Sequence, residues 1–482
     1  MKSNEPVLTP TINIHAHLFA ADHVQPIQLY YMFRGIIGET VAGGTDYVDV
    51  MHRGRRWLLV LLMFVVSAVV RPLGRSTVRG FVRLLETVSH LSESDLRSIL
   101  GVRGNRLDAF HLVRFVVRRV RALRGGSGGD EPFSRAIMEL VAAIYERQQE
   151  LNETTGAAKT QREVYDSYVT AVAGRTRFRE LVALSMNFDD AFGDTFRPEL
   201  DVVPTTRFSD QAEELASLAA DARPVTIHPF LAVDPRRYNA DGTAKRDGDR
   251  DLLDALRHYR SIGFRGIKTY PPLGYLPEDV RLEPLFDRCL TEQLPVITHA
   301  GVGGAGRKGA VNASGLGHPY YWIPVMNRLI RTYADAPERQ HEWRFRLCLA
   351  HFGGGGPLVE ETEGWWDEVV ALIDLYRDHA DLVEIYTDIS FNLPKTRRAA
   401  DRYTDALRRA FCNDEYRMGR LLFGCDWWMY LYTIDPLTYY RRLFGALARG
   451  GGDLCGGPQE LVDTLDENGR RFLGGEEPRG ER

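Results

Sequence analysis

At 482 residues the chain exceeds an ordinary single domain, and 44% hydrophobic with 10% aromatic residues is the composition of a folded core, which excludes general disorder. A formal charge of -4, from 61 Lys+Arg against 65 Asp+Glu, gives no global pull toward nucleic acid or an anionic membrane. Five cysteines, at 289, 348, 412, 425 and 455, lack zinc-ribbon or redox spacing, and the start lacks an apolar, signal-like stretch, so they read as reduced thiols in a cytoplasmic protein.

The first element is the strand Thr11 to Leu18, which carries His15 and His17. Residues two apart on a strand point the same way, so the two imidazoles are placed to share a metal. From about Ala20 to Gly174 the sequence reads as helices separated by glycine-rich breaks, a helical insertion of unknown role. Within it Gly125 to Asp130 is a linker or loop, and the Arg-rich stretch Arg114 to Arg124 reads as a solvated amphipathic helix rather than a nucleic-acid site. Trp57 to Val70 is apolar except for Ser67 and has arginines on both flanks. As a helix it spans roughly 21 Å at about 1.5 Å per residue, short of the roughly 30 Å hydrocarbon core. A buried or interface helix is the favoured reading, with interfacial membrane contact or a homo-oligomer contact as the alternatives.

From Arg179 onward, strand and helix signals alternate at the spacing of βα units. Strands are predicted at Leu181 to Asn187, Pro224 to Leu231, Phe264 to Tyr270 and Leu382 to Ile389, with three more ending at His299, His351 and Asp426. Helices are predicted at Asp249 to Ile262, Glu283 to Gln293, Tyr321 to Tyr333, Trp365 to His379, Thr396 to Phe411 and Pro436 to Leu447. With the first strand this makes eight. Several strands that deliver metal-capable side chains at their C-terminal ends are how an α/β (β/α)8 TIM barrel builds an active site. The predicted organisation is a barrel from residues 1–19 and 175–482, interrupted by the 20–174 insertion.

The ordered set of His15-x-His17, Gly266-Ile267-Lys268, His299-Ala300-Gly301, Ala350-His351-Phe352-Gly353 and Gly424-x-Asp426, with the closing stretch Leu465 to Gly474, resembles the metal-dependent amidohydrolase superfamily. The similarity is greatest to its amidohydrolase-2 branch, which includes aminocarboxymuconate-semialdehyde decarboxylase, and it covers residues 11–19 and about 179–474. The resemblance implies that His15, His17, His299 and Asp426 bind one divalent metal with His351 beside it, and that Asp426 and His351 are catalytic. Imidazoles and a carboxylate suit Zn²⁺, which lowers the pKa of a bound water. In some superfamily members a carboxylated lysine on the fourth strand bridges two metals, so Lys268 and His351 are candidates for a second metal. One ion per chain is the favoured reading, and a salt bridge in the barrel mouth is the structural role left to Lys268.

Arg307, in the glycine-rich basic loop Gly301 to Gly309, is a candidate to meet an anionic substrate group, and Trp322 and Trp427 are candidates to wall the substrate pocket. His228 and Asp388 either support the ligands or serve packing and capping. The function expected is hydrolysis of an amide, ester or lactone bond in a small-molecule substrate. The alternatives are non-oxidative decarboxylation of an unsaturated or aromatic acid with the same ligands and, in a different class, a catalytically silent scaffold.

Overall fold

The computed structural model describes residues 8–18, 160–187, 207–245, 249–301, 313–337, 339–354, 364–390, 403, 405–427, 440, 444 and 457–474. Eight strands form one sheet, β1 Ile12–Ala16, β2 Glu180–Leu184, β3 Thr226–Val233, β4 Gly266–Thr269, β5 Val296–His299, β6 Phe345–Ala350, β7 Val383–Asp388 and β8 Leu421–Leu422. Each pairs in parallel with the next. The sheet also meets itself. The Ile14 N–H donates to Phe423 O at 2.9 Å, the Asp426 N–H donates to His15 O at 2.8 Å, and Ala16 bridges in parallel to Trp427. This is the predicted barrel, with all eight strands in chain order.

The lumen is filled by alternate strand residues, among them Ile14, Val182, Phe230, Ile297, Tyr386 and Leu422. Close approach explains the glycine in the Gly266-Ile267-Lys268 motif, because a Cβ at Gly266 would lie 2.4 Å from the Phe230 ring. Helices α1 Gln161–Ala171, α2 Phe208–Asp221, α3 Leu252–Ser261, α4 Glu283–Thr291, α5 Ile323–Tyr333 and α6 Trp366–Leu375 follow the strands. Short α7 Glu415–Met418 precedes β8, and α8 Pro458–Leu473 ends the described chain.

The α1 helix opens with a capping box. Thr160 accepts from Glu163 N–H, and the Glu163 carboxylate accepts from Thr160 N–H. Its buried face, Gln161, Val164, Tyr165 and Tyr168, has helical spacing, and the Tyr165 hydroxyl donates to Val225 O at 2.9 Å and accepts from Val225 N–H at 3.1 Å. Residues from Thr160 therefore belong to the same compact unit as the barrel strands, although they were expected to lie within the insertion. The remainder of that span, Trp57 to Val70 included, lies outside the described residues.

The α8 helix closes the N-terminal end of the barrel. One Asp466 oxygen accepts from Thr11 N–H, Thr11 Oγ1–H and Ile12 N–H, while the Asn468 amide donates to Met418 O and Leu421 O, both at 2.8 Å. Phe472 meets the Tyr386 ring at 5.3 Å. Cys289, Cys348 and Cys425 are buried free thiols, but Cys412 is disulfide-bonded, which corrects the expectation of five reduced cysteines. No described helix is long and apolar enough to cross a membrane.

Candidate metal centre

Strict alternation along β1 would send His15 away from the lumen, because Ile12 and Ile14 already face it. A bulge changes the phase. Asn13 stands opposite Leu181 and Ala16 opposite Ala183, so β1 advances three residues while β2 advances two. Both imidazoles are thereby brought to the β8 end of the barrel mouth, where their Nε2 atoms face Asp426 Oδ1 at 3.6 Å (His15) and 3.3 Å (His17).

The β8 strand reaches β1 through Gly424, where an added Cβ would lie 2.5 Å from His15 Cβ. Only glycine allows that approach. The next strained position is Asp426 itself, with φ of 52°, and His351 has φ of 68°. Left-handed backbone at non-glycine residues costs energy and concentrates at functional sites.

Ring tautomers follow from fixed acceptors. His15 Nδ1–H donates to Asp388 Oδ2 at 3.0 Å, and His17 Nδ1–H donates to Leu184 O at 3.0 Å. A carboxylate and a carbonyl can only accept, so in the neutral rings, the form that binds a metal, both Nε2 atoms carry lone pairs toward Asp426 Oδ1. That oxygen is buried without a hydrogen-bond partner, as is His299 Nε2. Three electron-rich atoms converge, and a cation resolves their mutual repulsion. The donor atoms of His15, His17 and Asp426 lie within 4.8 Å of one another. This donor set fits a divalent metal.

His299 does not converge with these three donor atoms but lies beside His351, whose Nε2 faces His299 Nδ1 at 3.2 Å, while His15, His351 and Asp388 form a second cluster of donor atoms. His351 in turn lies with its ring 4.8 Å from that of His15 and its Nδ1 2.9 Å from Ser390 Oγ. Asp388 ties these together. Its Oδ2 takes the His15 ring proton, while its Oδ1 accepts from His351 N–H at 3.1 Å, from Ser390 N–H at 2.8 Å and from the Ser390 hydroxyl.

Electrostatics agree with the geometry. Burial lowers His17 and takes His299 well below the ordinary histidine range, and burial with repulsion from His15 brings His351 down to about 4. Burial pushes the Asp426 and Asp388 carboxyls up, but the surrounding imidazoles outweigh it and hold both below the usual carboxylate range. Neutral rings and ionised carboxylates are the protonation states a metal requires.

The other candidates fall differently. Lys268 stands opposite the lumen residue Ile297 and is buried within electrostatic reach of His17, His299, His351, Asp388 and Asp426, lowered to about 8 by burial against the attraction of the two carboxylates. Trp427 bridges to β1 and packs its ring edge-on to Tyr168 of α1 at 5.1 Å, beside the ligands but as part of the wall. Trp322 packs its ring against Phe286 of α4 at 5.4 Å, in the helical layer rather than beside the histidines. Arg307 lies outside the described residues. His228 pairs with Glu180 at 2.8 Å, at the start of β2 and so toward the other end of the barrel. Sequence reasoning missed Asn13, Ser390 and Tyr270, whose ring lies 4.7 Å from that of His299. Position one residue beyond a strand end was a usable signal for Tyr270, while Asn13 and Ser390 become visible only once the strand register is known.

Residues 176–474 match the model of the amidohydrolase family Amidohydro_2. No curated protein matches the chain. Among solved structures, a probable 2-pyrone-4,6-dicarboxylic acid hydrolase from Acinetobacter baumannii with citric acid bound is 12% identical, with 64% of this chain and 88% of that chain covered and a TM-score of 0.39. An amidohydrolase from Burkholderia multivorans with bound Zn is 12% identical over the same shares, with a TM-score of 0.40.

Proposed function

Since the chain belongs to the amidohydrolase family, and is thus a metal-dependent hydrolase, we propose that it cleaves an amide, ester or lactone bond of a small molecule at one Zn²⁺. His15, His17, His299 and Asp426 would hold the ion. The observation that carries this reading is the convergence of two imidazole lone pairs on one unpartnered, buried carboxylate oxygen. Bound there, a zinc ion supplies Lewis acidity, polarising a carbonyl and bringing the pKa of water to about 7.

The protein's own groups do the rest. Asp426 is ionised at neutral pH and stands at the ligand cluster, so it takes the proton of the attacking water and returns it to the leaving group. His351, lowered to about 4 by burial, enters as a neutral ring and orients the substrate. Its tautomer is held by Ser390 and Asp388. Lys268 lies near Asp388 and Asp426, and an unmodified amine there bridges no second ion, which supports one divalent ion over two.

Metal analysis of the purified protein should give about one Zn²⁺ per chain. Cleavage in ¹⁸O-labelled water should place the label in the carboxylate product. Carbon dioxide release without solvent oxygen incorporation would sink the hydrolytic reading, and a metal-free protein that cannot be loaded would sink the site.

A further inference from the structure

The β1 bulge that turns His15 and His17 toward Asp426 is held by one side chain. Asn13 is completely buried, and its carboxamide is used at both ends. Its Oδ1 accepts from His15 N–H at 3.2 Å on its own strand and from Cys425 N–H at 3.1 Å across the β1–β8 seam. Its Nδ2 donates to the Tyr168 hydroxyl at 3.3 Å and to Cys425 Sγ. The two backbone groups it takes belong to a ligand, His15, and to the neighbour of a ligand, Asp426.

We propose that Asn13 is a positioning residue of the metal centre: its carboxamide locks the β1 bulge onto β8 and so fixes the spacing between the His15–His17 pair and Asp426. A bulge leaves ladder groups without strand partners, and the His15 N–H finds its acceptor in this side chain. Backbone bonds also cross the seam, from Ile14 N–H to Phe423 O at 2.9 Å and from Cys425 N–H and Asp426 N–H to His15 O at 3.2 and 2.8 Å, but none of them takes the His15 N–H, which Asn13 alone satisfies among the described residues. Without Asn13 the His15 N–H at the bulge is left buried and unsatisfied, which favours a shift toward regular alternation, and that shift turns both imidazoles away from the carboxylate. The acceptor is the essential end, since the oxygen serves two backbone N–H groups that can only donate, while the nitrogen serves a phenol and a thiol that can each donate or accept. Asn13→Asp preserves the acceptor, and Tyr168 and Cys425 can then reverse roles and donate.

The inference rests on the metal-centre reading, and Zn²⁺ itself is the probe. Affinity is measured on the full chain by chelator competition for the parent, Asn13→Leu, Asn13→Asp and Tyr165→Phe, alongside thermal melting of each metal-free protein and the visible spectrum of each Co²⁺-loaded one. Tyr165→Phe removes a buried α1 hydroxyl bonded to Val225, far from the seam in function, and is the control for lost stability alone. Asn13→Leu should lower Zn²⁺ affinity about 10- to 100-fold and alter the Co²⁺ spectrum. Asn13→Asp should restore much of the affinity, and Tyr165→Phe should bind as the parent does. Parent-like affinity and spectrum in Asn13→Leu overturn the inference, as does an equal loss in Tyr165→Phe. If Asn13→Leu does not fold, Asn13→Ser takes its place with the same expected loss and the same refutation. A parent protein that binds no Zn²⁺ refutes the metal centre itself, which is a separate outcome.

Discussion

Asp426 combines three properties in one residue: a left-handed backbone, a buried carboxylate held ionised by imidazoles, and an oxygen facing both His15 and His17. Asp426→Asn should leave the fold intact and lower kcat by about 10²- to 10⁴-fold, because an amide cannot take the proton of water. Steady-state kinetics with a parallel metal assay checks this, and a loss explained wholly by metal content would assign the residue to binding alone. Asp388→Asn should act through His15, weakening Zn²⁺ about 10- to 100-fold, since the amide no longer offers two acceptors to the ring and to Ser390. Acid should destabilise the metal-free protein. The unfolded chain protonates His351 near 6.5 and the folded chain only near 4, so this contribution is full above 6.5 and is lost as the pH falls toward 4. Urea midpoints at pH 7 and pH 5 test this, and an unchanged midpoint contradicts it. His299, His351 and Asp426 were legible in the sequence because each ends an apolar run. Ser390 was not, because its meaning lies in bonds to Asp388 and His351 that no spacing announces. Trp322 shows the converse, since adjacency to a mouth loop in sequence does not announce that its ring packs on Phe286 of α4.

Among the elements, β1 and α8 show how far pattern carries. The alternating apolar residues of β1 identified a strand, but not the bulge that decides which face its histidines take. The α1 helix was assigned to the insertion with the rest of the helical stretch ending at Gly174, and the Tyr165 and Gln161 bonds to the β3 and α2 segments show it to be a barrel helix. Strand β8 was expected to run to Asp426, yet its regular part stops at Leu422, because the chain beyond it turns into β1 rather than continuing along β7. In α8, Asp466 satisfies three donors from the start of β1. Asp466→Ala should therefore cost about 2 kcal/mol of stability in denaturant unfolding while leaving Zn²⁺ affinity near that of the parent. Loss of metal binding in a well-folded Asp466→Ala protein would mean that the two ends of the barrel are coupled.

At the scale of the whole molecule, the interruption between Leu18 and Thr160 falls between consecutive barrel elements, β1 and α1. A chain in which residues 20–159 are replaced by a short Gly/Ser linker should still take up Zn²⁺. Its failure to fold in a circular-dichroism melt would make that segment part of the barrel's stability. Closure of the barrel by α8 and β8 also has a consequence for the order in which the protein is made. Asp466 meets Thr11 across 455 residues of sequence, and Asn13 meets Cys425 across 412. During synthesis β1 emerges before β2 and can gain it early, but its other edge stays open until β8 has left the ribosome. Such distant pairing makes folding slow and leaves an unpaired strand edge exposed in the meantime. Nascent chains arrested before residue 420 should hold no Zn²⁺, and those arrested with residue 474 outside the exit tunnel should acquire it, so metal capture becomes a timer for the closing of β8 onto β1.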